Sequence, residues 1–255
     1  MRIWKMRGAG NSFLVLDARR KKPDFPTLAI ELCKLKSADG LIAVEDSLTA
    51  DFRLHIYNRD GSRAAMCGNG ARCALRFAWE QEIAGDIMSM ETDAGILRGC
   101  RVCANVYRVQ MPAPGIPDFQ IIPGAAYVEV GVPHLVKPYP GSLWADAARL
   151  REECQALRCS PALPQGANVN FYTRTGKHSV RVLTYERGVE DYTLSCGTGC
   201  CAVAAVLWAE GNLPGGKLLA ENRGGTLTVT IAERKGHTPA LFLEGNAEVE
   251  GIWEL

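Results

Sequence analysis

The sequence has no apolar run approaching the ~20 residues needed to cross a bilayer as a helix, which argues against an integral helical membrane protein. Its first residues carry Arg2, Lys5 and Arg7, but Gly8, Gly10, Asn11 and Ser12 interrupt anything like the apolar centre of a secretion signal. A cytoplasmic protein with no membrane partner is therefore expected. Neither sign of charge is in excess: 29 Lys and Arg are balanced by 28 Asp and Glu, and the basic residues are dispersed. Without a basic face, nucleic acid is not an expected partner. A small charged substrate stays open, since one or two placed charges suffice for it. What the chain does have is length and apolar content: 255 residues, 47% of them hydrophobic, are enough for one large domain or two ordinary ones with a sizeable core. It also has ten cysteines. A chain this long needs no disulfide staples, so reduced thiols are expected.

Alternation and turn signals predict strands over 2–6, 13–16, 52–57, 87–91, from 96 onward, and 106–111. Helical spacing predicts helices over 27–36 and 71–82. Pro112, Pro114, Pro117 and Pro123 then cluster, which reads as a linker. Beyond it come a strand over 127–130, a helix over 144–157, strands over 169–173 and 179–185, and a helix over 200–210. Strands near 227–231, 241–243 and 247–253 close the chain.

The two halves repeat each other. Cys67-Gly68-Asn69-Gly70 matches Cys196-Gly197-Thr198-Gly199, and Trp79 and Trp208 follow the cysteines at the same interval. Upstream, Tyr57-Asn58-Arg59 mirrors Tyr185-Glu186-Arg187, and Asn11-Ser12-Phe13 resembles Asn168-Val169-Asn170-Phe171. Downstream, Gly95-Ile96-Leu97 and Gly225-Thr226-Leu227 open matching strands. The period is too long for a solenoid. It predicts an α/β (α+β) chain of two pseudo-symmetric domains, divided as 1–113 and 114–245, with the last strand, 246–255, packing on the first domain.

Each Cys-Gly-x-Gly unit carries its own chemistry. The glycines let the backbone turn tightly and approach a ligand. The apolar helix that follows presents backbone N–H groups without partners, a seat for a carboxylate. A cysteine at that positive end is expected to have a lowered thiol pKa. One unit alone is commonly a glycine turn and nothing more. Two units facing one another would place a thiolate and a thiol on opposite sides of an α-carbon, which is what inversion by proton exchange requires. The helix-end N–H groups would then stabilise charge developing on the substrate carboxylate.

The chain resembles the diaminopimelate epimerase family. The resemblance is carried by Gly8-Ala9-Gly10-Asn11-Ser12-Phe13, by Asn58-Arg59-Asp60-Gly61-Ser62, and by Met66-Cys67-Gly68-Asn69-Gly70-Ala71-Arg72-Cys73. Pro133-His134-Leu135-Val136, Asn168-Val169-Asn170-Phe171, Glu186-Arg187-Gly188-Val189 and Ser195-Cys196-Gly197-Thr198-Gly199 complete it. It implies two domains, each a β-barrel-like sheet around a central helix, and a homodimer. It implies epimerisation of LL- to meso-diaminopimelate with no pyridoxal phosphate, metal or other cofactor, within lysine biosynthesis. Carried over by position, Cys67 and Cys196 are the acid–base pair. His134 and Glu186 beside them hold the substrate amino group or tune the thiols. Gly68, Asn69, Gly197 and Thr198 form the carboxylate cradle. Asn11, Asn58, Asn168 and Arg187 bind the rest of the substrate, with Arg187 gripping the distal carboxylate as a fork.

The pattern breaks in places. Val132 stands where the family carries Asn, and Glu190-Asp191-Tyr192-Thr193 replaces a Gly-Glu-Thr stretch, lengthening the interval from Glu186 to Cys196. Ser12 replaces Asp, and Arg7 replaces His. None of these touches the thiols, but they leave open a racemase of another amino acid, such as histidine or another diamino acid. A non-catalytic cysteine-rich metal or redox protein is the competing class. Cys100-Arg101-Val102-Cys103 invites it, yet this CxxC sits among predicted strands, and Cys154 with Cys159 has the wrong spacing to complete a zinc site. Cys73, Cys200 and Cys201 are expected to be buried fillers, Trp79 and Trp208 core residues, and His55 a surface or strand residue.

Overall fold

A computed structural model describes residues 2–234 and 236–254, and the chain divides into two units: Met1–Gln110 with Glu244–Leu255, and Met111–Leu243. The first unit runs β1 (Arg2–Gly8), β2 (Asn11–Asp17), α1 (Phe25–Lys36), β3 (Gly40–Glu45), β4 (Phe52–Asn58), β5 (Arg63–Ala64) and α2 (Gly68–Glu80). It continues through β6 (Ile87–Thr92), β7 (Gly95–Cys103) and β8 (Val106–Met111). The second unit holds β9 (Asp118–Ile122), β10 (Ala125–Val130), β11 (Val132–Pro138), α3 (Ala147–Arg158), β12 (Asn168–Gly176), β13 (Ser179–Glu186) and β14 (Asp191–Tyr192). It ends with α4 (Gly197–Ala209), β15 (Lys217–Asn222), β16 (Gly225–Arg234) and β17 (His237–Asn246), and β18 (Glu248–Glu254) returns to the first unit.

Within the first unit, β1 pairs antiparallel with β2 and with β18. β2 pairs in parallel with β3, and β4 with β6. Parallel neighbours need a crossover, and α1 and α2 supply the two. The remaining pairs, β3–β4, β4–β5, β6–β7 and β7–β8, are antiparallel. Helix α2 packs against β1, β2, β3, β4 and β7, so the sheet wraps around it. Strand β2 accordingly has apolar neighbours on both faces. Leu14 and Leu16 meet Ala29, Leu32 and Cys33 of α1, while Phe13 lies near Gly70 of α2. A side chain on Gly99 would collide with Leu75 of α2, and one on Gly8 would lie 2.8 Å from the Asn69 carbonyl. The absent side chains let the strands close onto the helix.

The second unit repeats this order. β11 and β12 are parallel across α3, and β13 and β15 are parallel across α4. β10–β11, β12–β13, β13–β14 and β15–β16 are antiparallel, and β9 lies on β10 as β18 lies on β1. Helix α4 packs against β10, β11, β12, β15 and β16. Its sequence, GTGCCAVAAVLWA, is apolar all round, as a helix enclosed on every side requires.

Several features differ from what the sequence predicts. Strand β3, Gly40-Leu-Ile-Ala-Val-Glu, is wholly buried and shows no alternation, because helices cover both of its faces. The proline-rich stretch is no plain linker: β9 lies between Pro117 and Pro123 and pairs with β10 through an irregular register. Pro133 does not prevent β11, because the parallel ladder with β12 begins only at His134. The repeat is also re-registered. Asn11-Ser12-Phe13 lies on β2, whereas Asn168-Val169-Asn170-Phe171 lies on β12, the counterpart of β3. Trp79 and Trp208 are half-buried at the helix ends, not core residues. His55 does lie on a strand, β4, as expected, and is buried there. Cys73, Cys200 and Cys201 are fully buried.

Candidate active site

In each unit the repeated cysteine is the N-cap of the central helix. Cys67 precedes α2 with φ −143° and ψ 118°, and Cys196 precedes α4 with φ −123° and ψ 110°. The extended backbone turns each side chain back over the first helical turn, where N–H groups lack carbonyl partners.

On the first unit, Cys67 Sγ accepts from the Gly70 N–H at 3.5 Å, and the thiol is half-buried. Asn69 is buried, and its amide is committed inward: Nδ2 donates to Asn11 Oδ1 at 2.7 Å, and Oδ1 accepts from Arg72 Nη2 at 2.9 Å. One Nδ2 donor and the side-chain oxygen of Asn69 are thus held by protein groups. Arg72 is completely buried and also donates to the Gly68 carbonyl at 3.2 Å. Asn11 in turn donates to Asp39 at 3.4 Å. Asn58 ends β4 and braces a turn, donating to Ser62 Oγ at 2.9 Å while Ser62 donates to Asp60.

On the second unit, Cys196 is buried and its Sγ lies 3.4 Å from Thr198 Oγ1. Burial first, and then the nearby Glu186 carboxylate, push its thiol pKa up. The expected lowering by the helix end does not hold here: the Thr198 and Gly199 contacts act in that direction and are outweighed. Glu186 is itself raised by burial, opposed by the Thr193 hydroxyl. The backbone N–H of Arg187 donates to Asn168 Oδ1 at 2.8 Å, leaving the Asn168 donor face outward from that bond. Arg187 Nη1 donates to the Gln165 carbonyl at 3.0 Å. His134 is fully buried, and burial together with the Arg187 charge pushes its pKa down to about 3. Its imidazole is therefore neutral near pH 7, and Nε2 is buried without a partner among the described residues.

The structure thus gathers Asn11, Cys67, Gly68 and Asn69 around the start of α2, with Asn58 at the end of β4. It gathers His134, Asn168, Glu186, Arg187, Cys196, Gly197 and Thr198 around the start of α4. The altered 190–193 stretch has mainly another task. Glu190 and Asp191 pair with Arg158 and Arg151 of α3, and Tyr192 donates to the Ala147 carbonyl at 2.8 Å. Thr193 is tied through its backbone, its N–H donating to the Thr184 carbonyl at 3.1 Å. Val132 opens β11, paired with Val130. Sequence reasoning assigned no role to Arg72, Asn170 or Thr184, although the first two lie inside the quoted motifs. Their signal is polarity where the helical or strand pattern calls for an apolar side chain.

Cys100 and Cys103 lie on β7, not at a helix start. Among the described residues no group of three or more His, Cys, Asp or Glu is placed to hold a metal ion. Nor is any helix among them long and apolar enough to cross a membrane.

Comparison with solved structures shows the same fold. A Bacillus anthracis phenazine biosynthesis protein of the PhzF family aligns over 100% of this chain and 98% of its own, with TM-score 0.77 at 13% identity. An Agrobacterium vitis hydroxyproline epimerase aligns over 100% and 90%, with TM-score 0.71 at 18% identity. These likenesses show the fold; the family and the relatives below give the class, an isomerase of the epimerase type. Sequence comparison narrows the class: the diaminopimelate epimerase family model matches residues 3–109 and 126–250, and the chain belongs to that family. The Archaeoglobus fulgidus diaminopimelate epimerase is 37% identical, covering 90% of this chain and 89% of that protein. The Flavobacterium psychrophilum diaminopimelate epimerase is 32% identical over 97% of each.

Proposed function

We propose that the protein epimerises diaminopimelate between its LL and meso forms, with Cys67 and Cys196 as the acid–base pair and no cofactor. The observation that carries the proposal is the cysteine N-cap repeated at the start of α2 and of α4. In the LL-to-meso direction, one sulfur as thiolate takes the α-proton, and the bonding electron pair stays on the substrate as an enolate-like carbanion. The other sulfur as thiol returns a proton to the opposite face, so the two sulfurs exchange states with each turnover. Burial and Glu186 favour the thiol form of Cys196, which makes it the proton donor in the resting enzyme.

The first-turn N–H groups of α2 and α4, beginning at Gly68, Asn69, Gly197 and Thr198, hold the α-carboxylate and its developing charge. Arg187 spends one donor on Gln165, and the rest of its fork suits a distal carboxylate. Asn11, Asn58 and Asn168 contact the remainder of the substrate, and the protein works as a cytoplasmic homodimer in lysine biosynthesis. These assignments draw support from family membership and from the placement of each residue within its own unit.

Incubation with a single stereoisomer of diaminopimelate in deuterium oxide tests the proposal. The epimerised product is expected to carry solvent deuterium at the α-carbon, and Cys67→Ser and Cys196→Ser each abolish epimerisation. Absence of both exchange and epimerisation would overturn it. Exchange into histidine or another diamino acid, with none into diaminopimelate, would keep the chemistry and change the substrate, a result to which Val132 would be the pointer.

A further inference from the structure

The second unit contains a buried polar chain that the first lacks. His134, Asn170 and Thr184 are 0%, 0% and 3% exposed. Asn170 Nδ2 lies 3.0 Å from His134 Nδ1, 3.0 Å from the Leu135 carbonyl and 3.4 Å from the Asn168 carbonyl. Asn170 Oδ1 accepts from Thr184 Oγ1 at 2.9 Å. Two carbonyl oxygens beside Nδ2 fix the amide orientation, since the opposite one would set oxygen against oxygen. The nitrogen that faces His134 is therefore a donor, and Nδ1 must be the acceptor. The ring proton is left to Nε2, the atom that is buried without a partner among the described residues.

Strand registers show that the fold itself does not need this chain. The ladder pair Asn170–Thr184 corresponds to Ile42–Ile56 in the first unit, each lying one step before the aligned tyrosines, Tyr185 and Tyr57. His134, opposite Asn168 in the parallel pair, corresponds to Phe13, opposite Gly40. The same scaffold is thus filled by Phe, Ile and Ile in one half and by His, Asn and Thr in the other. Burying three polar groups where apolar ones fit costs stability, so their retention points to chemistry. Gly199 ties the chain to the site: a side chain there would overlap Asn170 Oδ1 and stand 3.1 Å from Thr184 Oγ1. The amide therefore lies directly beneath the first turn of α4.

We infer that Asn170 is a positioning residue that holds His134 as the Nε2–H tautomer, so that His134 serves epimerisation as a hydrogen-bond donor to an anion and not as a base. The inference rests on the epimerase reading above for its kinetic part and on geometry alone for the tautomer. The acceptor is an anionic oxygen or sulfur brought to the site, and a neutral imidazole meets it without adding a full charge.

Long-range ¹H–¹⁵N spectra of the ¹⁵N-labelled full chain at neutral pH test it, with the His134 signals assigned by their loss in His134→Gln. The expected spectrum shows Nε2 protonated and Nδ1 unprotonated. Asn170→Asp replaces the donor with an acceptor, so Nδ1 gains a proton. Its kcat is expected to fall about 100-fold, the cost of a misplaced transition-state donor, with KM within about twofold. Thr184→Val leaves the donor in place and should keep the tautomer. A wild-type His134 protonated on Nδ1 would overturn the inference, and this measurement stands even if Asn170→Asp fails to fold. So would an unchanged tautomer in Asn170→Asp, or an inverted one with full kcat. Failure of the diaminopimelate assignment would show as inactivity of the wild type, with the tautomer as expected.

Discussion

Asn69 donates to Asn11 at 2.7 Å while Arg72 donates to Asn69, so a buried guanidinium fixes the orientation of an amide on a neighbouring strand. Replacing Arg72 with Met would leave the Asn69 oxygen and one lone pair of the Gly68 carbonyl unpaired beneath the first turn of α2. Arg72→Met is expected to destabilise the protein by roughly 2–3 kcal/mol. It also frees Asn11 to rotate, so kcat/KM falls. Urea unfolding with an unchanged m-value, together with the epimerisation rate, checks both. Stability equal to wild type would show that the guanidinium contributes nothing net.

Glycines provide a paired comparison. A side chain at Gly199 meets the Asn170 amide, whereas one at Gly85 meets nothing within 4 Å. Gly199→Ala is expected to cost roughly 1–3 kcal/mol through overpacking. Gly85→Ala is expected to be neutral or to stabilise by up to ~1 kcal/mol, because it restricts the unfolded chain. Equal thermal shifts for the two variants would contradict the packing described around α4.

Acid should act through His134. Its folded pKa is about 3 and its ordinary value 6.5, so between these limits the unfolded chain binds a proton that the folded one refuses. The associated stability is present above pH 6.5 and is lost progressively as pH falls toward 3, with a limiting slope of about 1.4 kcal/mol per pH unit. Glu186, raised in the fold, has the opposite sign: its contribution is present below its ordinary 4.5 and is lost as pH rises through its folded value. The two are separated by comparing wild type with His134→Gln in urea at pH 5 and pH 7. The wild type should lose more stability on acidification, and identical losses would count against a buried neutral imidazole.

Cys196 offers a direct titration. Burial is the larger cause of its raised pKa and the Glu186 charge the second. Glu186→Gln removes only the second, so the thiol should ionise at lower pH than in wild type. Alkylation of Cys196 followed by peptide mass spectrometry across a pH series reads the shift. An unmoved or raised midpoint would mean that the carboxylate is not felt at the sulfur.

Much of this was legible in the sequence, and what was not has physical causes. The cysteine caps and both central helices could be read because Cys-Gly-x-Gly before an apolar run states a turn, a cap and a core helix together. Strand β3 could not, because burial on both faces erases the alternation that marks a strand. Strand β9 was hidden by prolines that flank it without entering it. At the site, Arg72 looked like an ordinary helix residue until burial showed it bonding backward to Gly68 and Asn69. The thiol of Cys196 looked activated because a sequence reveals the helix end but not the depth of burial or the carboxylate beside it. Glu190 and Asp191 looked like changes to the substrate end, whereas they bind the arginines of α3.

Strand β18 pairs with β1, so the first unit draws its strands from both ends of the sequence, whereas the second is one continuous segment. On a ribosome the second unit can close as soon as it has emerged. The first must wait with the outer rim of β1 bare until β18 has emerged as well. Until then that rim is open to any extended chain nearby, which makes β18 the strand on which clean folding depends.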